Sequence, residues 1–69
     1  MKEKLESLVA EMIERQIHLD EALGEFEKRF IQTVLANTRG NQTKAAQVLG
    51  LHRNTLNRKI ALHKLNGHR

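Results

Sequence analysis

Apolar residues recur at helical spacing through the first half of this 69-residue chain, and together they offer more greasy surface than so short a chain can cover by itself. Leu5, Leu8, Val9, Met12, Ile13 and Ile17 follow i, i+3, i+4, i+7, i+8, i+12, the stripe of an amphipathic helix. The spacing predicts a first helix from Glu3 to His18, with Glu3, Glu6, Glu11, Glu14 and Arg15 on its other side. A second stripe, Leu23, Phe26, Phe30, Ile31, Val34 and Leu35, predicts a helix from about Glu21 to Asn37. Asp20 is its expected N-cap and Leu19 a staple before it. Gly24 lies inside this helix, where it costs about 1 kcal/mol relative to Ala, so either a close helix–helix approach or a cost simply tolerated is expected there. Phe26 and Phe30, the only aromatics, read as core and not as a base-stacking platform.

A domain this small buries only about 60% of the surface its unfolded chain exposes, and usually needs a staple. There is no cysteine, so disulfides are excluded, and no two of the four histidines share the i, i+4 spacing of a helical metal site. Oligomerisation remains. The expected arrangement is all-α, a single domain over 1–69, with residues 1–38 as dimerisation helices. Leu5, Leu8, Val9, Met12, Ile13, Leu23, Phe26 and Phe30 then belong to a symmetric four-helix core shared by two copies. The alternative is a monomer with a loosely covered first helix.

The second half is built differently. Asn37-Thr38-Arg39-Gly40-Asn41 is a turn-rich run in which Gly40 suits a left-handed position. Asn41 then caps a short helix, Gln42 to Leu49, which Gly50 ends. A last helix is expected from Arg53 to about Leu65, stopped by Asn66-Gly67. Ala46 permits close helix crossing, Gly50 the tight turn, Leu51 fills the angle, and Leu56 anchors the last helix to the one before it. Small and apolar residues at the crossing, with a polar basic surface left over, make a helix-turn-helix over about 41–66.

Charge separates along the same boundary. Residues 1–38 hold five Lys/Arg and eight Asp/Glu, a net −3, and every acid lies at or before Glu27. Residues 39–69 hold seven Lys/Arg and no acid, a net +7, which gives the chain its +4. A basic surface without neutralising partners attracts polyanions.

The run Thr38-Arg39-Gly40-Asn41-Gln42-Thr43-Lys44-Ala45-Ala46, followed by Leu49-Gly50, Arg53-Asn54-Thr55-Leu56 and Lys59-Ile60, resembles the Fis-type helix-turn-helix family. That module occurs in the nucleoid protein Fis and as the C-terminal DNA-binding domain of NtrC-type enhancer-binding activators. The match is close over the last two helices and looser over Glu25-Phe26-Glu27 to Leu35. It implies a homodimer whose last helices, about 53–65 in each copy, enter successive major grooves of double-stranded DNA, for transcription regulation or nucleoid architecture. Arg53 matches the family's main base-reading arginine, whose fork binds guanine O6 and N7 together. Thr55 and Arg58 match positions that touch phosphates or base edges, Asn54 and Asn57 stand on the same exposed side, and His52, just before Arg53, is an expected donor to a phosphate or base. Asn41, Thr43, Lys44, Lys59 and Asn66 are the expected phosphate contacts.

The departures shape that expectation. Fis carries an N-terminal arm that engages recombinases, whereas this sequence starts at the first helix, so recombination enhancement is not expected. No GxxxxGK[ST] loop is present, so ATP hydrolysis by that route is not expected either. Asn57 replaces an arginine common in the family, and Ala61 and Leu62 stand where Fis has lysines, which points to less DNA bending or weaker non-specific binding.

No catalytic constellation emerges, the carboxylates being explained as solvent-facing members of helical salt pairs. No enzyme activity, cofactor, metal or small-molecule substrate is expected. No run is apolar enough for a membrane helix and MKEKLESLVAE is too charged for a signal peptide, so a soluble, cytoplasmic protein of the nucleoid is expected. The competing reading is a helical interaction module that does not read DNA. RNA is a weaker third, because its deep, narrow groove does not admit a reading helix.

Overall fold

The computed structural model describes residues 1–65, and among them the chain forms four helices and no strand. They are α1 (Lys2–Glu14), α2 (Leu19–Asn37), α3 (Gln42–Leu49) and α4 (Arg53–Leu62).

The buried core lies between the C-terminal half of α2 and the last two helices. Ile31, Val34 and Leu35 from α2, Ala45 and Ala46 from α3, and Leu56 and Ile60 from α4 enclose it, with Leu65 folded in beneath. Leu49 and Leu51 pack against its edge. Leu51 and Leu56 therefore sit where the helix-turn-helix pattern puts them, as plug and anchor.

α1 buries no side chain at all. Its stripe faces the N-terminal half of α2 across an open apolar groove lined by Leu8, Val9, Met12, Leu19, Leu23 and Phe26. Leu8 is 47% exposed and Phe26 55%. The Phe26 and Phe30 rings lie 5.6 Å apart, tilted by 50°, and they too face solvent within the single chain.

Two helix ends differ from expectation in a consistent way, while α2 ends at Asn37 as expected. α1 stops at Glu14, not His18, because Gln16 adopts a left-handed φ of 63°. The Ile17 amide then donates to Met12 O at 3.0 Å and the Gln16 amide to Ile13 O at 2.9 Å, the paired closure of a Schellman motif. α4 stops at Leu62, not Leu65, by the same device: Lys64 has φ 57°, and the Leu65 amide donates back to Ile60 O at 2.9 Å, turning Leu65 into the core. α2 ends likewise through Arg39 at φ 55°, with Gly40 at φ 79° as expected, its amide donating to Leu35 O at 2.9 Å.

α2 also starts earlier than expected. Its N-cap is His18, not Asp20, because the Glu21 carboxylate reaches back to accept the His18 amide at 3.0 Å. Asp20 instead accepts from the Glu21 amide at 2.8 Å, and Leu19 is the first helical residue, not a staple. Both carboxylates lie in the first turn, at the positive end of the helix dipole.

Gly24 is a further correction, since a Cβ built there meets nothing within 4 Å. No close crossing requires the glycine among the described residues. Gly24→Ala is therefore expected to stabilise the fold by about 0.5–1 kcal/mol through helix propensity. Urea denaturation checks this, and a loss of stability would mean that something packs on Gly24 outside the single chain.

No helix among the described residues is long and apolar enough to cross a membrane.

Candidate nucleic-acid interface

The surface of interest is assembled from the start of α3 and the outer face of α4. α3 begins where expected because the Asn41 Oδ1 accepts from the Lys44 amide at 3.1 Å. The amides at the very start of a helix have no intrahelical partner, so the α3 N-terminus carries partial positive charge. Thr43 and Lys44 are exposed beside it.

The turn into α4 depends on Gly50, whose φ of 71° is left-handed. The amide of Leu51 donates to Ala46 O at 2.9 Å and that of Gly50 to Gln47 O at 3.2 Å, closing the turn over two buried alanines. A Cβ at Gly50 meets no neighbour within 4 Å, so backbone conformation, not crowding, demands the glycine.

α4 begins at Arg53, as expected, and its cap is His52, whose Nδ1 accepts from the Asn54 amide at 3.2 Å. Half of the imidazole is thereby committed to the helix start, and Nε2 is the nitrogen left for an outside partner. Leu56 and Ile60 face inward. Arg53, Asn54, Asn57 and Arg58 are exposed and Thr55 is half-buried. The outer face of α4 is thus polar, basic and free of acids. Beyond Arg58 it carries only Ala61 and Leu62, the latter 70% exposed.

Lys59 is placed otherwise than among the other expected phosphate contacts. Its Nζ lies 2.9 Å from Glu27 Oε1, across the gap to α2. One turn further along α4, the Nε2 of His63 donates to Glu27 Oε2 at 2.8 Å. One carboxylate therefore holds two side chains of α4. The hydrogen bond from His63, and next that from Lys59, keep the Glu27 carboxyl below the ordinary carboxylate range, against a smaller upward push from burial. A lowered carboxyl adds stability above its ordinary value, and that stability is lost as pH falls through the folded-state value. The contact is therefore intact at neutral pH.

Sequence reasoning missed this cluster. Arg15–Glu11 at 3.0 Å and Arg29–Glu25 at 3.3 Å are the exposed helical pairs it expected. Glu27 is the exception, and its signal was periodicity: it lies four residues before Ile31 and seven before Val34, both buried. A carboxylate on the inward face of a helix needs a partner. Asn66, the remaining expected phosphate contact, lies outside the described residues. Seven of the eight expected dimer-core residues line the α1–α2 groove, Phe30 lies beside Phe26 further along α2, and none is buried within the chain.

Residues 22–62 match the family model described as bacterial regulatory protein, Fis family. The chain is 31% identical to the DNA-binding protein Fis of Buchnera aphidicola subsp. Schizaphis graminum, covering 96% of this chain and 78% of that protein. It is 43% identical to the DNA-binding protein Fis of Proteus mirabilis, over 64% of this chain and 45% of that one. A DNA-binding transcriptional regulator NtrC of Azospirillum brasilense is 58% identical over 59% of this chain, which spans only 8% of the relative's length. No solved structure matches.

Proposed function

The chain belongs to the Fis family of bacterial regulatory proteins, and from that membership we propose that it binds double-stranded DNA as a homodimer and regulates transcription or shapes the nucleoid. It acts by binding, with no reaction assigned, on DNA in the bacterial cytoplasm.

The observation that carries the reading is the outer face of α4. It is acid-free, headed by an exposed Arg53, and held by a core whose inward residues Leu56 and Ile60 leave every polar side chain of Arg53, Asn54, Asn57 and Arg58 to solvent. A helix of this kind fits the major groove, which is wide enough for it and carries a distinct donor and acceptor pattern for each base pair. Arg53 reads guanine through its fork, and His52, Asn54, Thr55, Asn57 and Arg58 complete the base-facing set. Asn41, Thr43 and Lys44 seat the α3 N-terminus on phosphate, where free amides and the helix dipole favour an anion. Lys59, engaged by Glu27, serves the interface indirectly. With Ala61 and Leu62 uncharged, flanking DNA has few cations to wrap around, so bending is modest.

Two α1–α2 grooves brought together bury both apolar stripes. Half-sites then lie about one helical turn of DNA apart.

The test is fluorescence anisotropy on a randomised pool of short duplexes across a salt series. Wild type is expected to bind with a steep salt slope, and Arg53→Ala to lose about 1–3 kcal/mol and relax selection at one base. Absence of binding by folded wild type at low salt sinks the DNA reading in favour of an interaction module.

A further inference from the structure

α4 is held to the rest of the fold by two unlike contacts. One is the apolar anchor of Leu56 and Ile60. The other is Glu27, whose two oxygens take Lys59 and His63 at 2.9 and 2.8 Å. Lys59 and His63 are four apart, so they stand one above the other on one flank of α4. Arg53 and Asn57, also four apart, occupy the other flank.

The Lys59 side chain is 30% exposed and that of His63 12%, so neither is sealed away. A lysine stem of four carbons can carry its ammonium from this flank to the outer edge of the helix. Among the described residues, Glu27 is the carboxylate that holds it on this flank. No other acidic residue in the chain comes later than Glu27, so no second side-chain carboxylate competes for Lys59 and His63 from α3 or α4.

We propose that Glu27 is a specificity-setting residue, which holds Lys59 and His63 against α2 and so withholds them from the phosphate-facing surface. The proposal rests on the DNA-binding reading above. Phosphate contacts strengthen binding to every sequence alike, whereas base contacts discriminate. Removing cations from the phosphate side lowers non-specific affinity and leaves discrimination to the N-terminal half of α4. The same contact fixes the tilt of α4 on α2, so the reading helix keeps one orientation.

The test is a four-protein cycle: wild type, Glu27→Gln, Lys59→Gln and the double variant, each checked for folding by circular dichroism. Binding is measured by anisotropy on a selected and on a scrambled duplex from about 50 to 200 mM salt. Releasing one ammonium to a phosphate steepens the salt slope by about 0.9 per protomer, so the fall in affinity over that range grows about 3.5-fold for each protomer bound. Glu27→Gln is expected to steepen the slope by this amount, raise affinity for the scrambled duplex and narrow the ratio between the two duplexes. Lys59→Gln is expected to leave the slope near wild type, and the double variant to return to it.

The opposite pattern, with Lys59→Gln flattening the slope and Glu27→Gln leaving it unchanged, means that Lys59 already sits on phosphate and overturns the proposal. Equal loss on both duplexes in Glu27→Gln, with no change in slope, also overturns it and leaves Glu27 a structural tie only. Wild type supplies the separate check on the DNA reading, since its failure to bind at low salt overturns that reading and this one with it.

Discussion

Leu8→Glu is expected to sediment as a monomer of 8.0 kDa, and wild type, as the proposed homodimer, at twice that mass. Leu8 lies at the middle of the α1 stripe and lines the apolar groove with Val9, Met12, Leu23 and Phe26. Within one chain it is 47% exposed, so the substitution removes little packing from the protomer itself. In the proposed dimer the same position is central, and a carboxylate there would be buried without a partner, which interfaces tolerate poorly. Monomerisation separates the two reading helices, and the linkage that makes the second binding event intramolecular is lost. Affinity for a two-half-site duplex is expected to fall by about 10²–10⁴-fold, while binding to one half-site persists. Sedimentation equilibrium and anisotropy on both duplexes check this. A wild-type mass of 8.0 kDa, or a dimeric Leu8→Glu, overturns the assignment of the groove.

Leu56→Ala removes the residue that ties α4 to α3, and it is fully buried at 0% exposure. Large-to-small changes at such sites cost about 2–5 kcal/mol, through lost transfer energy and the cavity left behind. Stability of about 0.05–0.15 kcal/mol per residue gives a chain of 69 residues only about 3–10 kcal/mol in all. The variant is therefore expected to sit near its unfolding midpoint at room temperature and to bind DNA only to the extent that it is folded. Leu62→Ala is the matched control on the same helix. At 70% exposure it is expected to stay within about 0.5 kcal/mol of wild type. Urea midpoints for the two variants decide the matter. A loss below about 1 kcal/mol at Leu56 contradicts its role as anchor.

Both expectations draw on features that were readable before any coordinates. The bounds of α3 were legible because standard signals mark both ends, Asn41 as a capping side chain and Gly50 as a left-handed terminator. The start of α4 followed from that turn. The end of α2 at Asn37 was legible from the turn-rich run that follows it, but the ends of α1 and α4 were not, because Gln16 and Lys64 hold the left-handed positions where glycine is the usual signal. The backbone closure imposes that conformation, and no residue type announces it. The α2 start was misplaced for a related reason. Asp20 looks like a cap by composition, but Glu21 lies three residues after His18 and so reaches its amide. Glu27 escaped because its partners are 32 and 36 residues away, beyond any helical spacing rule. The outward placing of Asn54, Asn57 and Arg58 on α4 was legible, since Leu56 and Ile60 face inward, whereas the pairing of Lys59 with Glu27 was not.

α1 contributes no buried side chain, and in the proposed dimer this sets how the protein answers to its own abundance. A 13-residue helix is marginal in water unless something covers its apolar side. In this reading the cover is another copy, so α1 is firm only when copies are plentiful enough to meet. Occupancy of a two-half-site target then climbs with roughly the second power of protein level while dimers are scarce, by mass action. A modest change in synthesis becomes a larger change at the DNA, and the first helix is the part of the fold that registers dosage.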